Sequence, residues 1–330
     1  MRWTIDSAEP SLTRRWGGAM PTTTPQLGLA LRNILVATDF SPCSERALLH
    51  AVAAAHHCGS TLHLVHVVQP GIFYILPPEA HVWTPEALDL ALKKSSTEAH
   101  TLVTDVLQRT HCEDIKHRIW VQQGADVGET LRSIIEVENI DLAVVGTRGR
   151  TGLHRIVLGS VAENIFRYAP CPVLTVGPHS WRSDPQSVHL KHVLFPTDFS
   201  TESARALPIA MATVADFGAA LTILTIIEGL EREAALDRPR VVAALEQRMR
   251  EMVCAVAPVP PGTVFQVEFG EVADIVIEAV ARLGIDLVVF GLKAPDTYVD
   301  RLPWMHAYKI VCEVACPVLS LRGPSLARSE

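Results

Sequence analysis

The chain repeats itself, and that restricts its fold more than any other feature. Residues 34–51 (ILVATDFSPCSERALLHA) align without gaps to 193–210 (VLFPTDFSTESARALPIA), with ten of eighteen positions identical. Further on, residues 141–146 (DLAVVG) match 286–291 (DLVVFG), and 171–174 (CPVL) match 316–319 (CPVL). The offset is 159 residues at the first match and 145 at the later ones. Such a period is far too long for a solenoid and means two copies of one complete domain. The expected boundaries are a flexible Pro/Thr-rich leader over 1–30, a first domain over 31–178, a polar linker over 179–190 and a second domain over 191–323.

Within each copy, short apolar runs alternate with longer amphipathic stretches. In the first copy the expected strands are 33–38, 61–68, 117–122, 141–146 and 172–176, and the expected helices lie near 43–57, 86–110, 127–138 and 160–169. Strands and helices in this alternation give right-handed βαβ units and a parallel sheet covered on both faces. The unbroken apolar runs Leu142–Val145 and Leu287–Phe290 agree, because a strand covered on both sides has no solvent face. Ser41-Pro42 and Ser200 are the expected helix N-caps after the first strand of each copy.

Bulk properties exclude several classes. At 48% hydrophobic and 20% charged the chain is globular in character, and a net charge of −7 argues against a general nucleic-acid binder. With no run of 18 apolar residues, neither a transmembrane helix nor a membrane partner is expected. Arg14-Arg15 resembles a twin-arginine signal, but no apolar stretch follows, so the expected compartment is the cytoplasm, with Met20 an alternative start. The seven cysteines show no paired spacing and read as reduced thiols.

In an open α/β sheet, ligands sit beyond the carboxyl ends of the strands. The loop after the fourth strand of the first copy reads GTRGRTGLHRIVLGS over 146–160, a Gly-x2-Gly-x9-Gly-Ser spacing between a buried strand and a helix. Glycines let backbone N–H groups approach an anion, and a helix start offers free N–H groups and the positive dipole end. Arg148, Arg150, His154 and Arg155 make the loop basic in an acidic chain. The spacing is neither a Walker A loop nor a Rossmann fingerprint.

On these residues the chain resembles the universal stress protein family in a tandem two-domain form. The markers are Ile34–Thr38 with Asp39, the strand Leu64–Val67, Gly124, the glycine loop and the Cys-Pro-Val-Leu strands. The resemblance implies two doubly wound, HUP-like five-stranded parallel sheets in order 3-2-1-4-5. It also implies ATP, with adenine near Ala37, Asp39 and Val67, and with phosphates and ribose on Gly146, Thr147, Arg148, Gly149, Gly159, Ser160 and Val161. Mg2+ would be held mainly by the phosphates. Pairing through the final strands is a further implication, so that the two copies form an intramolecular pseudo-dimer at millimolar effective concentration or above.

Several residues invite other readings. Asp39 can accept ribose or adenine hydrogen bonds or can close a turn, since Asp198 stands in its place in the second copy. His63 and His66 lie on opposite faces of one strand and make a poor metal pair, and His56-His57 read as surface. Residues 70–88, with Phe73, Tyr74 and Trp83, suit a lid, a partner-binding patch or a packed loop. In the second copy Gly149, Gly159 and Ser160 become Ala294, Trp304 and Met305, with Pro303 adjacent, so that copy is expected to have lost the site.

The expected role is thus an ATP-binding stress-response or signalling module with one site, in the first domain. A slow ATPase or autophosphorylating enzyme is one alternative, because the loop offers hydroxyls but no evident carboxylate base besides Asp39. A non-catalytic scaffold with a vestigial site is another. A further homo-oligomer and an unidentified protein partner stay open.

Overall fold

The computed structural model describes residues 29–69, 85–109, 115–147, 158–178, 180, 190–229, 238–293 and 301–322. The first half runs β1 (Asn33–Ala37), α1 (Pro42–Cys58), β2 (Thr61–Val68), α2 (Pro85–Arg109), β3 (His117–Gln123), α3 (Val127–Val137), β4 (Leu142–Gly146), α4 (Ser160–Tyr168) and β5 (Val173–Val176). The second half runs β6 (His192–Pro196), α5 (Thr201–Phe217), β7 (Ala220–Ile227), α6 (Arg238–Cys254), β8 (Val264–Phe269), α7 (Val272–Leu283), β9 (Leu287–Leu292), α8 (Arg301–Glu313) and β10 (Val318–Arg322). Each expected element of the first half is found to within a residue or two.

Local chemistry sets the helix ends. The Ser41 hydroxyl accepts the Ser44 N–H and Pro42 opens α1, while Gly59 closes it at φ 67°, a left-handed conformation that suits glycine. Ser200 and Gly218 do the same for α5, so both copies use one device.

All ten strands join one sheet in the order β3-β2-β1-β4-β5-β10-β9-β6-β7-β8. Each half keeps the order 3-2-1-4-5, and every pairing within a half is parallel. The halves meet at an antiparallel pair, β5 with β10, in the register Val173↔Ser320, Leu174↔Leu319 and Thr175↔Val318. Thr175 and Ser320 are buried at this seam, and their hydroxyls donate to the carbonyls of Val318 and Val173.

Two apolar layers cover the sheet. One packs α1, α2, α5 and α6 on one face and the other packs α3, α4, α7 and α8 on the opposite face; each runs through both halves without a break. Side-chain contacts reinforce the junction. The Leu29 N–H donates to Asp216, and the exposed His57 ring stacks on Phe217 with centroids 4.1 Å apart. A largely apolar cavity of about 100 Å³ lies there, lined by Leu31, His50, Ala54, Leu174, Phe217 and Leu319 among others. Burial pushes the His50 imidazole down to about 4, against an opposing hydrogen bond with the Ser180 backbone.

Candidate functional site

In each half the sheet order reverses between the first and fourth strands, so β1 and β4 lie side by side and their carboxyl ends open one crevice. The first wall of that crevice is the β1–α1 turn. Thr38 continues the strand pairing by donating its N–H to Val65, and its hydroxyl accepts the Phe40 N–H at 3.1 Å. Asp39 Oδ1 accepts the Ser41 N–H at 3.0 Å, so the turn reading of this carboxylate is realised on one of its oxygens. Phe40 takes a left-handed φ of 62° and packs on His66, whose Nδ1 lies 2.8 Å from the Thr38 carbonyl.

The same turn recurs in the second half. Phe199 has φ 59°, its N–H donates to the Thr197 hydroxyl, and Asp198 accepts the Ser200 N–H. Thr225 replaces His66 and donates to the Thr197 carbonyl at 2.9 Å. Burial pushes the Asp198 carboxyl up, but hydrogen bonds from Ser200 and Ser203 outweigh it and hold the group below its usual range. A strained residue at one point in both copies belongs to the fold and not to a ligand of one copy.

The second wall is the β4–α4 connection. A Cβ on Gly146 would sit 2.8 Å from the Cys43 carbonyl group, and one on Gly291 would fall on the Glu202 carbonyl. This glycine therefore lets the fourth strand of each half press against the first turn of that half's first helix, α1 or α5. That contact explains why the second copy retains it while its other loop glycines are replaced.

Thr147 follows, 2% exposed, with its N–H donating to Val176 and its carbonyl accepting the Gly159 N–H at 2.8 Å. Its hydroxyl is buried and meets no hydrogen-bond partner among the described residues. Gly159 is the N-cap of α4 and contributes no side-chain bond, so among the described residues the N–H groups of Ser160 and Val161 begin the helix without a side-chain cap. Ser160 is exposed and Val161 half-buried. Arg148, Gly149, Arg150, Thr151, His154 and Arg155 lie outside the described residues, as do the leader residues 1–28 and residues 70–84 with Phe73, Tyr74 and Trp83. Ala37 ends β1, and Val67 lies near the end of β2, close under Gly124.

The second half differs at the corresponding place. Helix α8 begins at Arg301, and the residue matching Ser160 is Met305, so this helix starts four residues earlier than α4. At 1.5 Å per residue the helix start is displaced by about 6 Å, and Pro303 is accommodated in its first turn. The side chains of residues 301–304, Trp304 among them, lie outside the described ones. His306 takes the position of Val161. Its ring stands between Glu271, at 2.9 Å, and Glu228, at 3.9 Å, while Lys309 pairs with Glu271 and Asp274. Carboxylates and an imidazole thus occupy the mouth where the first half presents backbone N–H groups.

Sequence reasoning missed one neighbour of the candidate site. The Leu158 N–H, one residue before the cap of α4, donates to the hydroxyl of Tyr308 at 2.9 Å, and Tyr308 belongs to the other half.

Comparison with known proteins follows the same division. The model of the universal stress protein family matches twice, over residues 30–177 and 189–322. Universal stress protein MJ0531 of Methanocaldococcus jannaschii is 34% identical over 145 residues, covering 44% of this chain and 81% of its own length. Universal stress protein A homolog 1 of Coxiella burnetii is 32% identical over 152 residues, covering 44% of this chain and 95% of its own. Among solved structures, a universal stress protein from Archaeoglobus fulgidus superposes with a TM-score of 0.60 at 18% identity, over 88% of this chain and 98% of that one. At that identity the superposition speaks for the fold, and it extends over both halves.

Proposed function

The chain belongs to the universal stress protein family, and from that premise we propose that its first half binds one nucleotide, ATP with Mg2+, while the second half binds none. The supporting observation is the contrast between the two β4-type connections. In the first half a helix start at Gly159-Ser160 and a buried Thr147 hydroxyl, neither with a side-chain partner among the described residues, adjoin at the point where the strand order reverses. In the second, the helix begins four residues earlier and His306, Glu228 and Glu271 gather at the mouth.

These features suit a phosphate group. The amides of Ser160 and Val161 and the dipole of α4 favour an anion, and the Thr147 hydroxyl has hydrogen-bonding capacity left over. Adenine and ribose would lie toward Ala37, Asp39 and Val67, with Gly146 setting the spacing of the walls and Arg148 and Gly149 continuing the phosphate loop. Magnesium would be held mainly by the phosphates and would neutralise their charge. The role that follows is a nucleotide-dependent module of the stress response that binds and responds, with at most weak turnover.

Thermal unfolding with and without Mg-ATP tests this reading. Ligand at about a hundred times its dissociation constant stabilises a one-site protein by roughly 2.7 kcal/mol. Gly159→Trp should abolish the gain, and a gain that survives in this variant would refute the site. Single-turnover incubation with ATP separates binding from hydrolysis.

A further inference from the structure

The second half keeps only the first glycine of the Gly-x2-Gly-x9-Gly spacing, yet it grips the helix that the first half offers to phosphate. Two residues make that grip. Tyr308 on α8 accepts the Leu158 N–H at 2.9 Å, and Leu158 is 2% exposed. The next N–H, that of Gly159, is fixed by the Thr147 carbonyl. Consecutive amides at the entry to α4 are therefore held, one from each half of the molecule. At the other end of α4, Arg322 of β10 donates from Nε to the Phe166 carbonyl at 2.8 Å, while its Nη1 donates to Lys293 at 3.1 Å. A guanidinium on a last-turn carbonyl satisfies a group that the helix leaves open and complements the negative end of the dipole.

The grip runs one way only. By the 145-residue offset, Leu158 corresponds to Pro303, Tyr308 to Glu163 and Arg322 to Gly177. Proline has no N–H to donate and glycine no side chain to reach with, and Glu163 is paired with Arg167 on its own helix. The mirror-image contacts, from the first half to α8, therefore cannot form. Two copies related by an approximate two-fold axis would share such contacts equally; here, among the described residues, they point from the second half to the first.

We propose that Tyr308 and Arg322 are positioning residues for the nucleotide site, and that the second half acts as a built-in clamp setting the affinity of the first. This rests on the reading of the first half as the ATP site. The physical basis is preorganisation: a helix start held at both ends before the ligand arrives loses less freedom on binding. Tyr308 acts through Leu158 and Gly159 and touches no ligand.

The test uses the full-length chain and Tyr308→Phe, which keeps the ring and removes the acceptor. Titration calorimetry with Mg-ATP and amide hydrogen exchange at Leu158 and Gly159 are measured together. A single hydrogen bond of ordinary strength predicts roughly two- to tenfold weaker ATP binding, with faster exchange at both amides and a lower melting temperature of the free protein, because the buried Leu158 N–H loses its acceptor. If Tyr308→Phe misfolds, Arg322→Met and Arg322→Lys replace it: the first should weaken binding, and the second, which still donates to Phe166, should restore most of it. Unchanged affinity and unchanged exchange in Tyr308→Phe overturn the clamp. Should the unmodified chain fail to bind Mg-ATP, the proposed function falls. The clamp falls with it, whereas Mg-ATP binding that is present and unaltered in Tyr308→Phe overturns the clamp alone.

Discussion

Leu174 pairs with Leu319 across the junction of the two halves, and each is the counterpart of the other under the 145-residue offset. A local two-fold axis therefore passes between them. The flanking pairs obey it too: Val173 faces Ser320 and Thr175 faces Val318, with Thr175 and Ser320 equivalent. The contact has the self-complementary form of a symmetric dimer interface, built within one chain.

Cutting the connection should leave the two halves together. A protease site inserted between Gly177 and Leu190 joins nothing that the β5–β10 pair and the two apolar layers do not already join. After cleavage the fragments are expected to co-elute in gel filtration; separate folded halves would contradict the interface.

Gly146→Ala and Gly291→Ala should both destabilise, and Gly291→Ala more, because its Cβ meets the Glu202 backbone outright. Overpacking of this kind costs about 1–3 kcal/mol. Chemical denaturation without nucleotide reads the effect. A neutral Gly291→Ala would mean that this glycine is not there for packing.

Thr147→Val removes a buried hydroxyl that has no partner among the described residues. An unsatisfied buried group costs about 1–3 kcal/mol, so the free protein should be equally stable or more so. Mg-ATP affinity should fall in the same variant. Denaturation midpoints and calorimetry together decide it, and loss of stability with unaltered affinity would make Thr147 a structural residue only.

Acid should weaken the junction through His50. Its folded pKa of about 4 lies below the ordinary 6.5, so between these values the unfolded chain binds more protons. The neutral imidazole's contribution is complete above pH 6.5 and is lost as pH falls toward 4, a change of at most about 3 kcal/mol. His50→Gln should flatten the stability profile in this window; equal slopes for the two proteins would remove His50 as the cause.

Much of the fold was legible because its signals are local. Leu142–Val145 and Leu287–Phe290 are buried on both faces, and such strands read as unbroken apolar runs. Ser41, Pro42 and Ser200 mark their own helix starts. The site was legible only as a spacing of glycines. That Gly146 answers to the Cys43 carbonyl is a packing fact between segments about a hundred residues apart, and no pattern within 146–160 carries it. The Tyr308–Leu158 bond joins residues 150 positions apart, and the one trace it leaves is a set of mismatches between copies: Pro303 for Leu158, and Glu163 for Tyr308. Readings of Arg148, Gly149 and the aromatic residues of 70–84 fall outside the described residues.

Because β5 and β10 occupy each other, neither is open to a strand from another molecule, and the edges of the ten-stranded sheet are β3 and β8. The contact between halves is thus as complete in a cell holding one copy of the chain as in a cell holding thousands. Pairing at this axis therefore cannot be graded by expression level, because both partners come from one chain.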